Sequence, residues 1–357
     1  MANQKKLDSL LGKHAAFWIR GPDSLLMNRV PSRTFKKKPI PKTDGTGIVD
    51  PLQIAADDID LSRYIGVTAD ANSGSAAMGE LIGHIGPVYP EAWMSAIIGC
   101  KIYASAFGCT AKKSFDGSFT EIAQEAKRVT ANYSTAPWYI KLKGALSFGN
   151  SLAEHQDLSV RQPHLRGVVD MVAAFLGEER LCMEIYDHPV ELTAMAETFA
   201  DLWLKVAQAT QKLRQPWHGG YVSSWKLFAA GLLIDYQIDA TSILSPDAYR
   251  DIFLPADQRI FDCFPYSLIH LHAVGLHALE QVLNTSVTAI QISLDNETGN
   301  WDKDHIILCC REIQKAGKAL LIVGELSSAE IDDFLSSLEP QGLAIESWEK
   351  TIVEARP

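Results

Sequence analysis

The sequence predicts an α/β protein, namely a (β/α)8 TIM barrel with an N-terminal extension. The last third of the chain repeats a short apolar strand followed by a helix, a rhythm typical of βαβ units and a parallel sheet. The Gly-rich segment from residue 73 to 86 has neither the GxGxxG nor the GxxxxGK spacing of a nucleotide-binding loop. The sequence therefore favours a closed barrel over an open, doubly wound sheet.

We place the domain boundary at residue 63. Residues 1–63 form the extension, whose long polar passage from Pro31 to Pro51 predicts a functional loop. Residues 64–357 form the barrel, which begins with a predicted strand at Tyr64–Thr68. Further strands are predicted at residues 157–160, 233–238, 267–272, 289–294, 320–323 and 342–345, and helices at residues 138–155, 166–176, 189–213, 276–282, 304–316 and 328–338.

Composition and charge restrict the partners that we expect. The formal net charge of -10 argues against binding to nucleic acid or to an anionic membrane. No apolar run approaches the roughly 18 residues that a membrane span needs, and no signal peptide is recognisable. The six cysteines are scattered without a CxxC pair, which is typical of a reducing compartment. We therefore predict a cytoplasmic protein that acts on a small molecule.

The strand at residues 267–272 carries the strongest functional signal. His270 and His272 lie two residues apart, so they project from the same face of this strand near its C-terminal end. That end of a barrel strand is where α/β barrels place their chemistry. Two imidazoles and a carboxylate suit a divalent metal, with Zn²⁺ favoured, and Glu325 is the predicted third ligand with Glu346 as the alternative. The alternative is that one histidine packs in the core and the other lies on the rim.

Other polar residues follow predicted strands or stand near them. Asp239 and Asp70 are candidate catalytic residues, with His218 as a proton shuttle, although an aspartate after a strand also commonly caps the next helix. For substrate binding we single out two cations and two aromatic side chains: Arg20, Arg166, Trp93 and Tyr221. The aromatic segment around Trp93 is equally compatible with ordinary core packing.

Three passages resemble the uroporphyrinogen decarboxylase superfamily: Ile243 to Pro255, Arg166 to Asp170 with Gly177 downstream, and Asp187-His188-Pro189. The resemblance extends over residues 60–350 in order and spacing, and it implies the barrel fold. The superfamily includes zinc-dependent methyltransferases that move methyl groups between corrinoid proteins and thiols. The resemblance thus implies a small-molecule substrate, a corrinoid protein as partner and a homodimer.

The sequence departs from both branches of that superfamily. Where decarboxylases carry an arginine-rich RQAGR-like motif, this chain has Trp18-Ile19-Arg20-Gly21, and the second arginine is absent. Where the thiol-directed methyltransferases carry a His-x-Cys motif and a distant cysteine, it has His270, His272 and the stretch Gly324–Ser327. Nitrogen and oxygen ligands are better suited to polarising an oxygen than to activating a thiol.

These departures leave three functions open. The first is metal-dependent methyl or other one-carbon transfer at His270 and His272. The second is a metal-free decarboxylase in which Arg20, Arg161 or Arg166 holds a substrate carboxylate. The third is a non-catalytic barrel that binds a ligand.

Overall fold

A computed structural model describes residues 2–30, 40–41, 43, 47–48, 53–62, 79–86, 92–105, 108–113, 115–294 and 301–348. At its centre is a six-stranded parallel sheet with the order β1-β6-β5-β4-β3-β2. Its strands are β1 (Leu26–Val30), β2 (Leu233–Gln237), β3 (Tyr266–His272), β4 (Ala289–Leu294), β5 (Ala319–Glu325) and β6 (Leu343–Trp348). The predicted α/β class with a parallel sheet is confirmed.

The sheet also shows where the sequence predictions need correction. Strands β2 to β6 lie within a few residues of the predicted positions, whereas β1 comes from the segment that we predicted as an extension. The predicted strand Tyr64–Thr68 lies outside the described residues. A parallel bridge between Arg166 and Gln237 continues the pairing beyond β2, and two short strands, His84–Ile85 and Ser159–Val160, pair in parallel. Closure into an eight-stranded barrel stays a prediction.

The remaining elements surround this sheet. The α-helices are Ala2–Trp18, Trp93–Ile97, Phe119–Ala131, Pro137–Gln156, Val168–Leu176, Glu178–Asp187, Pro189–Leu213, Pro246–Ala248, Leu254–Phe261, Leu279–Leu283, Lys303–Lys315 and Ser328–Ser337. A π-helical segment at Tyr249–Phe253 and 3-10 turns at Ala56–Asp58, Tyr133–Thr135, Asp239–Ile243 and Ala273–Ala278 complete them. Antiparallel pairs join Ile40–Pro41 with Gly47–Ile48, Tyr221–Val222 with Phe228–Ala229, and Gln53–Ile54 with Lys101–Ser105 and Gly108–Lys112.

Local sequence sets several of these helix ends. Ser327 accepts a hydrogen bond from the backbone of Glu330, whose side chain returns the contact, and this capping box begins helix Ser328–Ser337. Proline occupies the first turn of the long helix Pro189–Leu213, where its missing N–H costs nothing. Among the helices that the structure describes, none combines the length and apolarity that crossing a membrane would demand.

The two faces of the central sheet have different roles. Along each strand, alternate residues such as Ile269 and Leu271 pack against the surrounding helices. The other face is apolar only in its amino-terminal half, where Leu233, Leu268 and Leu321 pack with Phe17 of the first helix. Towards the carboxyl ends this face becomes polar, with buried side chains that include Asp235, Gln237, His270, Gln291, Asn28 and Glu346. The candidate site described next lies in this polar half.

Candidate metal centre

The two histidines at the end of β3 form a close pair. The Nε2 atoms of His270 and His272 lie 3.1 Å apart. The Nδ1 atom of buried His270 is hydrogen bonded to the Oε1 atom of Gln291, which lies opposite it on β4. A carbonyl oxygen only accepts, so Nδ1 carries the proton and Nε2 of His270 presents a lone pair. Two ring nitrogens this close need a proton or a cation between them.

Asp239 supplies the carboxylate beside this pair. It follows β2 and begins the 3-10 turn Asp239–Ile243, and its Oδ1 atom lies 3.6 Å from Nε2 of His272. Its Oδ2 atom accepts a hydrogen bond from Nε2 of Gln237. Its Oδ1 atom is buried and accepts no hydrogen bond from any described residue. A buried carboxylate oxygen without a donor is energetically costly, so a cation beside His272 at this atom would be stabilising.

The spacing of the three groups suits a divalent metal. Asp239, His270 and His272 each offer one ligand atom, and these atoms all lie within 4.8 Å of one another. In a tetrahedral zinc site with bonds near 2.0–2.1 Å, neighbouring ligand atoms are about 3.3 Å apart. The observed 3.1 and 3.6 Å separations bracket that value. The residues present therefore fit a metal with three protein ligands and a further position for substrate.

An indole ring and a third imidazole lie beside the histidine pair. Trp225 stacks on His270, with ring centroids 5.0 Å apart and planes 14° from parallel. His164 contacts Gln237 through its Nε2 atom and lies 6.3 Å from the ring of His270. Burial lowers the pKa of His164 to about 3, so its imidazole is neutral at physiological pH and donates to Oε1 of Gln237. The relay from His164 through Gln237 thus fixes the orientation of Asp239.

A second carboxyl group lies behind Asp239. Oδ1 of Asp170 accepts a hydrogen bond of 2.7 Å from the backbone N–H of Ala240. Burial holds the pKa of Asp170 well above its usual value, and the negative charge of Asp239 raises it further. Asp170 is thus a buried carboxyl group in electrostatic contact with the candidate ligand Asp239.

The site opens into a small pocket. Its volume is about 230 Å³, and its lining includes Ile238, Asp239, Thr241, Ser242, His270, Leu271, His272, Val274 and Gly275. All three candidate ligands reach its surface. The pocket is large enough for a small molecule but below the 300–1,000 Å³ of a typical drug-sized site.

The carboxylate that we predicted as the third ligand is not in this group. Glu325 ends β5, two strands from β3, so the strand axes are about 10 Å apart, whereas Asp239 follows the neighbouring strand β2. The alternative ligand, Glu346, is buried on the same face of the sheet. There its carboxylate pairs with Lys226 and accepts a 3.2 Å hydrogen bond from Asn28. Strand order, which the sequence alone does not supply, decides between these carboxylates.

Four other predicted site residues occupy different surroundings. Trp93 is fully buried and packs against Trp138. Arg20 donates to the backbone oxygen of Gln341 and pairs with Glu339, both of which precede β6 and therefore lie at the amino end of the sheet. The structure does not bring either residue to the pocket lining.

The other two lie in or beside the hairpin formed by Tyr221–Val222 and Phe228–Ala229. His218 is in a turn with a positive φ of 46°, beside Trp217 and 3.5 Å from the carboxylate of Asp157. Tyr221 lies under the guanidinium of Arg214. Neither lines the pocket. Asp70 falls outside the described residues.

The sequence reasoning also missed residues that the site uses. Gln237, Gln291, His164 and Trp225 were not selected, although a polar residue within an apolar strand such as Ala289–Leu294 is a visible signal. In parallel register, Gln237, His270 and Gln291 form one row across three strands. Knowing that register would have identified both glutamines.

Comparisons with known proteins bear on the fold. No family model matches the sequence, and no curated protein matches it. Among solved structures, the chain is similar to a methyltransferase from Methanosarcina mazei, with a TM-score of 0.62 and 10% sequence identity. The similarity covers 96% of this chain and 94% of the other. At this identity the match demonstrates a shared fold and does not by itself assign a function.

Proposed function

We propose that this chain is a metal-dependent methyltransferase with a (β/α)8 barrel of the uroporphyrinogen decarboxylase type, and that Asp239, His270 and His272 bind Zn²⁺. The observation that carries the proposal is the spacing of one ligand atom from each of these residues, all within 4.8 Å of one another. Support for methyl transfer comes from the fold shared with the Methanosarcina mazei methyltransferase. The proposal replaces Glu325 with Asp239 as the carboxylate ligand.

The residues around the three ligands would hold them in position for the reaction. When bound, a divalent metal in this ligand set polarises an oxygen-bearing group of the substrate. Gln291 and Trp225 hold the ring of His270 at a fixed tautomer and angle, and Gln237 holds Asp239. Ile238 and Val274 contribute apolar atoms to the lining of the pocket beside these polar groups.

The methyl donor would be a corrinoid carried by a partner protein. Such a donor would supply the methyl group as a cation equivalent and keep the bonding electron pair, and an acceptor hydroxyl held at Asp239, His270 and His272 would take the methyl group and lose its proton to solvent. Loss of the methylcobalamin absorption in the presence of the protein and a candidate acceptor measures this reaction directly.

The first test is the metal content of untagged protein purified without chelators. We expect about one zinc per chain in the wild type, and loss of it in His270→Ala, His272→Ala and Asp239→Ala. Glu325→Ala and the exposed His155→Ala are the matched controls, and both should keep the metal. A wild-type protein without metal would contradict the proposal and favour one of the other two predicted functions, the metal-free decarboxylase or the ligand-binding barrel.

A further inference from the structure

The side chain of His277 joins two segments beside the pocket. Its Nε2 atom lies 2.9 Å from the backbone oxygen of Thr241 and 3.1 Å from that of Leu244. Backbone oxygens only accept hydrogen bonds, so Nε2 carries a hydrogen and donates it to both. The other ring nitrogen, Nδ1, lies 3.3 Å from the backbone oxygen of Val274. One imidazole thus contacts the segment after β2 and the segment after β3.

These two segments adjoin candidate ligands from neighbouring strands. Asp239 is the first residue of the 3-10 turn that follows β2, and His272 directly precedes the 3-10 turn that follows β3. The backbone pairing between β2 and β3 ends with Gln237 opposite His270. Asp239 and His272 therefore lie beyond the last pair of this ladder, and the ladder by itself does not fix their separation.

The His277 contact lies close to both ligands along the chain. Thr241 follows Asp239 by two residues, and His277 follows His272 by five, which is less than two turns of a 3-10 helix. Thr241 and Val274 also line the pocket. A change in the separation of the two turns would therefore move Oδ1 of Asp239 relative to Nε2 of His272, which are 3.6 Å apart.

His277 makes this connection from the protein surface. The residue is exposed and does not line the pocket, whereas the backbone oxygens that it contacts belong to buried Thr241 and Leu244. Replacement of an exposed ring leaves no cavity in the core. A change of metal binding in a His277 variant would therefore report on the two turns rather than on unfolding.

We infer that His277 is a positioning residue that sets the separation of Asp239 and His272, and with it the preference of the site for a small divalent ion. The inference rests on the proposed function and adds a residue that contacts neither metal nor substrate. The 3.1 and 3.6 Å separations of the ligand atoms suit the short bonds of Zn²⁺. An ion with longer bonds needs wider spacing, so turns that are free to separate would accommodate it better than zinc.

The relative affinity for two ions tests the inference. Zn²⁺ and the larger Cd²⁺ are each titrated against a chromophoric chelator in the wild type and in His277→Ala. We expect the zinc affinity of the variant to fall about 10- to 100-fold, the range for residues that orient metal ligands, and the cadmium affinity to fall less. The ratio of zinc to cadmium affinity should therefore decrease. A general loss of folded protein would lower both affinities equally.

Two further variants separate the hydrogen bonds of His277 from the presence of a ring. His277→Gln keeps an N–H donor on a long side chain, so it should recover part of the zinc affinity and of the ratio. His155→Ala removes an exposed imidazole elsewhere and should match the wild type. An unchanged zinc-to-cadmium ratio in His277→Ala overturns the inference and leaves the metal site standing.

A second measurement does not depend on the metal. Hydrogen exchange of the metal-free protein reports on the backbone amides of Thr241 and Leu244, which donate within the segment after β2. These amides should exchange about tenfold faster in His277→Ala than in His155→Ala, as the loss of a hydrogen bond of ordinary strength allows. If neither ion binds the wild type, the proposed function fails. Equal exchange in the two variants then overturns the positioning role as well, whereas faster exchange still supports the connection between the turns.

Discussion

At the scale of single residues, the candidate site depends on side chains that orient others. His270 is held by a hydrogen bond to Gln291 on one edge and by the face of Trp225. Asp239 is held by Gln237, which in turn contacts His164. The protein thus uses two buried carboxamides, from strands on either side of β3, to fix one imidazole tautomer and one carboxylate.

The role of Gln291 leads to a prediction about metal affinity. In Gln291→Leu, Nδ1 of His270 loses its acceptor, and metal affinity should fall about 10- to 100-fold because the ring is no longer held as an Nε2 ligand. Competition with a chromophoric chelator measures the change. Gln291→Glu, which keeps an acceptor oxygen, should retain most of the affinity. Equal affinity in the wild type and the leucine variant would show that this contact does not orient the ligand.

At the scale of elements, the first helix covers the amino-terminal half of the sheet face that carries the candidate site. Trp18 donates a 2.7 Å hydrogen bond to the backbone oxygen of Phe228, and Phe17 packs among the leucines of the strands. His14 joins the helix to two other segments: its Nε2 atom donates to the backbone oxygen of Glu80, and its Nδ1 atom accepts from the backbone N–H of Phe228. These bonds require the neutral imidazole.

His14 therefore makes stability depend on pH. Burial lowers its pKa from 6.5 to about 4, so between these values the unfolded chain binds a proton that the folded protein does not. The contribution of His14 is fully present above pH 6.5 and is lost as the pH falls through 4. In His14→Gln, which keeps a donor and an acceptor, the free energy of unfolding should decline less steeply over this range, by up to about 1.4 kcal/mol per pH unit.

Urea unfolding at a series of pH values measures that slope. Exposed His155 provides the control, since His155→Gln should leave the slope of the wild type unchanged. An unaltered slope in His14→Gln would contradict the assignment of His14 as a buried neutral residue.

At the scale of the whole molecule, one buried ion pair joins distant parts of the chain. Glu346 on the last strand pairs with Lys226 of the hairpin turn and accepts a hydrogen bond from Asn28 on the first strand. Both charged residues are more than nine-tenths buried. One carboxylate on β6 thereby connects β1, at the edge of the sheet, with the hairpin.

Replacing one member of this ion pair should destabilise the fold more than replacing both members with apolar residues. Lys226→Met leaves the carboxylate of Glu346 buried without its cation, and the free energy of unfolding should fall by about 3–5 kcal/mol. The double variant Lys226→Met with Glu346→Leu should recover more than half of that loss, because no unpaired charge remains. Chemical denaturation of the three proteins tests this. A double variant as unstable as the single one would show that the ion pair itself supplies the stability.

The sequence by itself determined the α/β class, five of the six strands of the parallel sheet and the same-face pair of His270 and His272, because these follow from local periodicity. Only the tertiary structure decided that β1 belongs to the sheet, that Asp239 rather than Glu325 joins the histidines, and that Gln291 and Gln237 orient them. Those outcomes depend on strand order and register, which are set by packing between segments far apart in the chain. A local pattern cannot contain that information.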